Sequence, residues 1–213
     1  MITKYNRLFV CSSVLALMLP AAARGQADSK LLERAATSRV KGQAGAPVMI
    51  YEIADFQCPF CARFAREVFP RLDSAYIKTG KVQWFFVNLP LPTHGAAWMA
   101  AEAAMCAGAV HNQFWSLHDR LFATQEEWSR ANGVRAALTR AARNEGITSD
   151  AYEACLVEDS MAALILQDVI FAANLRIGGT PTFIINNETS FVGLKTFEEW
   201  RDLIEKALLK PNR

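Results

Sequence analysis

The apolar positions of this chain change period as it proceeds, and the changes mark out its elements. Val48, Met49, Ile50, Tyr51 and Ile53 form an almost unbroken apolar run around Glu52, as in a strand buried on both faces. Residues 82–87, with Val82, Trp84, Phe85, Phe86 and Val87, form a second. Between them the spacing turns helical and predicts one continuous helix over 59–78. Pro59 suits its start, where no N–H partner is needed, and Gly80 lies beyond its end. From His94 to about Arg176 the chain is alanine-rich with helical period, predicting helices at 96–110, 112–122, 134–145, 150–158 and 161–176. Strand character returns at 182–185 and 191–192, turned by Asn186, Asn187, Glu188 and Thr189. Thr196 and Glu199 stand at capping-box spacing and open a last helix. The layout is βαβ, a run of helices, then ββα: an α/β fold interrupted by an all-helical insertion.

Ahead of the first strand, residues 29–39 predict a short amphipathic helix and residues 42–47 a turn-rich connector. Further upstream, Leu8 to Leu19 is an apolar run too short for a comfortable membrane span. Lys4 and Arg7 precede it, and Pro20 with Ala21, Ala22 and Ala23 follows. This reads as a secretory signal cleaved after Ala23, with Ala27 as an alternative and an uncleaved anchor as the competing reading. The expected divisions are a signal peptide at 1–23, an N-terminal helix and connector at 24–46, a first half of the sheet domain at 47–92, the helical insertion at 93–176, and a second half at 177–213. The expected location is periplasmic or otherwise exported. Composition adds little: of 213 residues, 52% are hydrophobic and 21% charged, as in ordinary globular proteins. The net charge of +2 is accounted for by Lys4 and Arg7, so no basic field argues for nucleic acid or anionic lipid as a partner.

The cysteines change the picture more. Of five, Cys11 lies in the apolar leader and is expected to leave with it, and the remaining four allow three pairings. Cys58-Pro59-Phe60-Cys61 sits where the first strand gives way to a helix. A cysteine at a helix N-terminus meets unpaired N–H groups and the positive end of the dipole, which favour a thiolate. The thiolate is the species that attacks disulfides. Far downstream, Gly178-Gly179-Thr180-Pro181-Thr182-Phe183-Ile184-Ile185 places an X-Pro bond between a Gly-Gly turn and an apolar strand. The pair of stretches, Ala54-Asp55-Phe56-Gln57-Cys58-Pro59-Phe60-Cys61 and Gly179-Thr180-Pro181-Thr182-Phe183, resembles the DsbA-like thiol–disulfide oxidoreductases. Those proteins have a thioredoxin fold split by a helical domain. The resemblance runs from about Val40 to Leu209.

The resemblance implies a redox-active disulfide between Cys58 and Cys61, with Cys58 as nucleophile and Cys61 as resolving thiol. It implies a cis bond before Pro181, with Thr180 and Pro181 beside the disulfide positioning an extended substrate, and Pro59 and Phe60 at the same surface. Such motifs lower the first cysteine from about 8.5 to roughly 3.5–7.5. Pro59 and Phe60 bring no charge, so backbone donors and the dipole are expected to carry that shift. The best-known members have a histidine where Phe60 stands, so the strength of oxidation does not carry over. Glu52 matches a buried acid of the family that can relay the proton of the resolving thiol; the alternative is a surface glutamate. Asp55 is read as shaping the turn. Cys106 and Cys155 match a second, non-catalytic disulfide of some relatives, the alternative being two separate buried thiols. His94, His111 and His118 read as structural, and Asn187-Glu188-Thr189 matches a glycosylation sequon only at the level of a tripeptide.

The expected function is thus an exported oxidoreductase that passes the Cys58–Cys61 disulfide to folding proteins. It needs no cofactor and no metal, since no paired-ligand spacing completes a zinc site. A membrane partner for reoxidation is implied by the family alone. Isomerase and reductase activities of the same fold remain open, although isomerases usually add an N-terminal dimerisation domain for which there is little room before Pro47. A binding or chaperone module would more often have lost a motif cysteine, and a glutathione-transferase-like enzyme usually lacks the motif.

Overall fold

The computed structural model describes residues 21–210, with side chains from residue 28 onward; the Leu8–Leu19 leader and the positively charged residues before it lie outside the described residues. A helix, α1 (Ala21–Ser38), leads into a two-residue strand, β1 (Val40–Lys41). Strand β2 (Val48–Ala54) is followed by α2 (Pro59–Glu67), a short α3 (Phe69–Leu72), a π-helical turn (Asp73–Ile77) and β3 (Val82–Asn88). The insertion comprises α4 (Ala97–His111), α5 (Phe114–Ala123), α6 (Gln125–Ser129), α7 (Val134–Asn144), α8 (Asp150–Val157) and α9 (Ala162–Asn174). A hairpin, β4 (Thr182–Ile185) and β5 (Thr189–Val192), and a last helix, α10 (Phe197–Leu208), complete the chain.

The strands form one sheet in the order β1-β3-β2-β4-β5. β2 runs parallel to β3 and antiparallel to β4, so it is the central strand and is packed on both faces. Its register sets Ile50 beside Trp84 and Ile185, and Glu52 beside Phe86 and Phe183. On that face Val48, Ile50, Trp84 and Phe183 pack against Phe64, Leu72, Trp200 and Ile204 of the flanking helices. On the other face Ile53, Val87 and Ile184 meet Ala172 of α9. A third apolar cluster belongs to the insertion, and it reaches the sheet domain at Phe56, Cys58, Cys61 and Phe86.

Several sequence expectations need correction. The helix expected over 59–78 is broken: Val68 ends α2, and the chain restarts as α3 and the π-helical turn. Pro70 explains the break, because it has no N–H for the carbonyl four residues earlier and its ring crowds that carbonyl. The helix expected over 29–39 begins at Ala21, on the near side of both suggested cleavage points. β1 and α6 were not anticipated; both are too short to show a period. The hairpin strand starts at Thr189, since Asn186 and Asn187, at φ 50° and 59°, close the turn by themselves. Left-handed backbone of this kind is tolerated best by Gly and Asn.

Two contacts tie the layers together. α4 is buried on nearly every side and approaches α1 at Gly108, where a Cβ would run into Ser38 Oγ and press on Phe114. Asp168 of α9, almost fully buried, accepts from Arg39 and from the main-chain N (2.9 Å) and Nδ2 (3.0 Å) of Asn88 at the end of β3. Its removal would leave a partly buried guanidinium and two amide donors without an acceptor. We expect Asp168→Ala to cost about 3 kcal/mol in denaturant unfolding, and a loss no larger than a surface substitution would show that α9 does not depend on this anchor.

Candidate active site

The turn after β2 places Cys58 at the N-cap of α2, with extended backbone (φ −72°, ψ 123°) and Pro59 as the first helical residue. Cys58 N donates to Asp55 O at 3.0 Å, and Cys58 O accepts from Ala62 N at 3.1 Å, the first bond of the helix. Asp55 organises the turn as expected: Oδ1 accepts from Gln57 N at 2.6 Å, while Oδ2 meets Leu91 N at 2.7 Å and His94 Nδ1 at 2.8 Å. Both motif cysteines are free thiols here. Cys58 has 4% of its surface exposed and Cys61 none, whereas Phe60 stands out at 58%. The dipeptide therefore presents an aromatic ring to solvent beside a sulfur that barely reaches it.

The downstream loop closes over this sulfur. The Thr180–Pro181 peptide bond is cis, and the Cys58 thiol donates to Thr180 O at 3.3 Å. Thr182 Oγ1 donates to Gly179 O at 2.6 Å and Gly193 N to Pro181 O at 2.8 Å, so the loop is held at both ends.

The two sulfurs are driven in opposite directions. Cys58 is lowered to about 6, first by a hydrogen bond from the Cys61 thiol and, against the cost of burial, by the Thr180 side chain and the N–H groups of Cys61 and Phe60. The sequence reading assigned this shift to backbone donors and the dipole; the neighbouring thiol comes first. Burial, with the adjacent Cys58 sulfur, pushes Cys61 well above the ordinary thiol range.

Glu52 is buried in the sheet face below. Trp84 Nε1 donates to its Oε2 at 2.9 Å, and Oε1 has no partner. Burial pushes its carboxyl up to about 8, the Trp84 bond pulling the other way, and its charge adds to the upward pressure on Cys61. The surface-glutamate alternative is thereby excluded. Trp84 escaped the sequence reading because nothing in an apolar strand run marks one indole as the acid's partner. Gln125 of α6 escaped it too; its Nε2 donates to Phe56 O (2.7 Å) and Cys58 O (2.9 Å).

The structure thus gathers Glu52, Cys58, Pro59, Phe60, Cys61, Thr180 and Pro181 around one sulfur pair. Cys106 and Cys155 are bonded to each other between α4 and α8, with Cα atoms 5.9 Å apart. The histidines have local partners: His94 with Asp55, His111 with Ser149, and His118 with Asp119, the last inside a cage that includes Phe56, Phe86, Phe114 and Phe122. Among the described residues no group of three or more His, Cys, Asp or Glu side chains could hold a metal ion.

The family model described as Thioredoxin matches residues 34–206. The chain belongs to the thioredoxin family. Within it, the DsbA-like thiol–disulfide oxidoreductases are its neighbours. The structure superposes on the crystal structure of Wolbachia pipientis alpha-DsbA1 with a TM-score of 0.73 at 26% identity, covering 81% of this chain and 91% of that one. Disulfide bond formation protein D of Bacillus subtilis is 26% identical over 173 residues, 79% of this chain and 76% of that protein. A stretch of 148 residues is 36% identical to the Na(+)/H(+) antiporter NhaA 3 of Salinispora tropica, where it spans only 21% of the relative's length.

The depressed Cys58 value makes a direct prediction for this thioredoxin-family site. Alkylation of the reduced protein should titrate with a midpoint of about 6 and label Cys58 before Cys61. A midpoint in the ordinary thiol range of about 8.5 would contradict the geometry.

Proposed function

We propose that this DsbA-like protein is an exported oxidase that donates the Cys58–Cys61 disulfide to cysteine-bearing substrate proteins. The observation that carries the reading is the opposite displacement of the two thiols, with Cys58 near 6 and Cys61 far above the ordinary range. Stabilising the Cys58 thiolate stabilises the reduced form, which makes the disulfide a better oxidant. The name of the Bacillus subtilis relative, a disulfide bond formation protein, supports the same direction. Lys4, Arg7 and the apolar stretch behind them support export. A membrane partner that reoxidises the dithiol belongs to the same proposal.

A substrate thiolate attacks the sulfur of Cys58, the more accessible of the pair, forming a mixed disulfide and breaking the bond to Cys61. The leaving Cys61 sulfur, in a site that disfavours its anion, takes a proton from the Glu52 carboxylic acid. A second substrate thiolate then attacks the substrate sulfur of the mixed disulfide and expels Cys58 as a thiolate. The substrate loses two electrons and releases its two thiol protons to solvent; the protein ends with a Cys58 thiolate and a Cys61 thiol, and Glu52 regains its proton from solvent. Phe60 and the cis Thr180–Pro181 loop flank the bond and offer an incoming chain an aromatic surface and main-chain groups for strand-like addition.

Equilibration of the purified protein against glutathione buffers tests the direction. A potential of about −120 to −180 mV supports donation, and one near about −270 mV overturns it in favour of a reductase. Cys61→Ser should trap substrate as a mixed disulfide on Cys58, and a trapped adduct on another cysteine would remove Cys58 from the nucleophile's role.

Glu52 makes a separate prediction. Its folded-state value of about 8 lies above the ordinary 4.5, so the folded protein keeps a proton that the unfolded chain gives up. Its contribution to stability is complete below about 4.5 and declines as pH rises toward 8. Glu52→Gln, neutral at every pH, should therefore be more stable than the parent at neutral pH by about 3 kcal/mol, with the gain vanishing in acid, while formation of the mixed disulfide slows. A stability difference that does not change with pH would show that Glu52 is not held as the acid.

A further inference from the structure

The catalytic turn is bonded from outside the sheet domain. Ala96 N, just ahead of α4, donates to Gln57 Oε1 at 2.8 Å. From the other side Gln125, the first residue of α6 and nearly fully buried, donates to Phe56 O at 2.7 Å and to Cys58 O at 2.9 Å. A carboxamide nitrogen has two protons, and here both go to the main chain of one tripeptide.

The second bond matters most. Cys58 O already accepts from Ala62 N at 3.1 Å, so this carbonyl is pinned by the helix from one direction and by Gln125 from another. The peptide plane between Cys58 and Pro59 is fixed as a result. That plane aims the next N–H groups, those of Phe60 and Cys61, which help hold the Cys58 sulfur as a thiolate. Pro59 has no N–H of its own and Phe60 carries no charge, so nothing else in the dipeptide takes the place of these neutral donors.

We propose that Gln125 is a positioning residue for disulfide exchange, through which the helical insertion holds the Cys58 turn in its reactive geometry. The proposal rests on the exchange function inferred above. Gln125 touches neither sulfur; it acts through the carbonyls of Phe56 and Cys58. Loss of its donors frees the turn, weakens the N–H bonds to the thiolate and makes the Cys58–Cys61 disulfide a weaker oxidant.

The test is Gln125→Met, which keeps length and apolar bulk and removes both donors. Thiolate absorbance of the reduced protein and the glutathione equilibrium would be measured beside the parent protein, with thermal unfolding of both redox forms. We expect the Cys58 titration to move to higher pH by about three- to tenfold in proton concentration, and the glutathione equilibrium to shift by a similar factor toward the protein disulfide. A variant that melts earlier in both forms yet keeps the parent titration and equilibrium would reduce Gln125 to a structural contact and overturn the proposal. Gln125→Glu gives an independent reading should the methionine variant not fold. Its ionised carboxylate cannot donate, so Cys58 should be shifted at neutral pH and return toward the parent's behaviour in acid; coincidence with the parent at every pH would again overturn the proposal. Absence of a Cys58 titration in the parent itself would instead defeat the exchange reading on which this one stands.

Discussion

Two sulfurs one helical turn apart have to be held in different electrostatic surroundings, and the arrangement of this molecule follows from that requirement. Cys58 occupies the N-cap, where helix N–H groups converge, and Cys61 lies one turn deeper, where burial disfavours charge. Such a difference across so short a distance needs a steep boundary between interior and solvent. The sheet supplies the interior from below through Glu52, Trp84 and Phe86. The insertion supplies it from the side through Phe114, His118 and Phe122, which pack against Phe56. The cis-proline loop closes the top and leaves only the edge of one sulfur facing outward.

That interior has a cost. Glu52 lies buried with one oxygen unpartnered, and its hydrogen-bond partner is the neutral indole of Trp84 rather than a cation. A cationic partner would have pulled the carboxyl down and left it ionised; a neutral donor leaves burial in control. The acid therefore stays protonated through neutral pH, where a thiolate leaving from Cys61 would need a proton. In the proposed exchange, a residue that destabilises the fold relative to an uncharged isostere stands where the proton it holds would be used.

Much of the fold was legible because its signals are local. The apolar runs of β2 and β3, the period of the insertion helices and the capping box at Thr196 and Glu199 each show in short windows of sequence. The sulfur pair and Pro181 were legible through their spacing and order. What escaped depends on tertiary contact. β1 exists because Val40 and Lys41 find Phe85 and Trp84 on β3, and α6 has too few residues to display a period. Gln125 and Trp84 are ordinary residues in their own segments, and only the fold carries them to Cys58 and Glu52. The broken helix is a different case: Pro70 was visible, and the apolar period on either side of it concealed its effect.

Phe60 bears on how the acidity of Cys58 is obtained. A charged side chain in the dipeptide would act through its monopole, which tolerates loose geometry but is screened by salt near the surface. Here the leading contributions are the Cys61 thiol and the Thr180 side chain, followed by the N–H groups of Cys61 and Phe60. Their effect falls off quickly with distance and angle, so it exists only while the turn is held still. This accounts for the density of bonds around residues 55–58, where Asp55, Gln57 and Gln125 each fix part of one short loop. The insertion is then part of the frame of the site, because a chain that relies on oriented dipoles needs rigid support on every side of them. The thioredoxin-type core frames the turn from the sheet, and the helices frame it from the flank the sheet cannot reach.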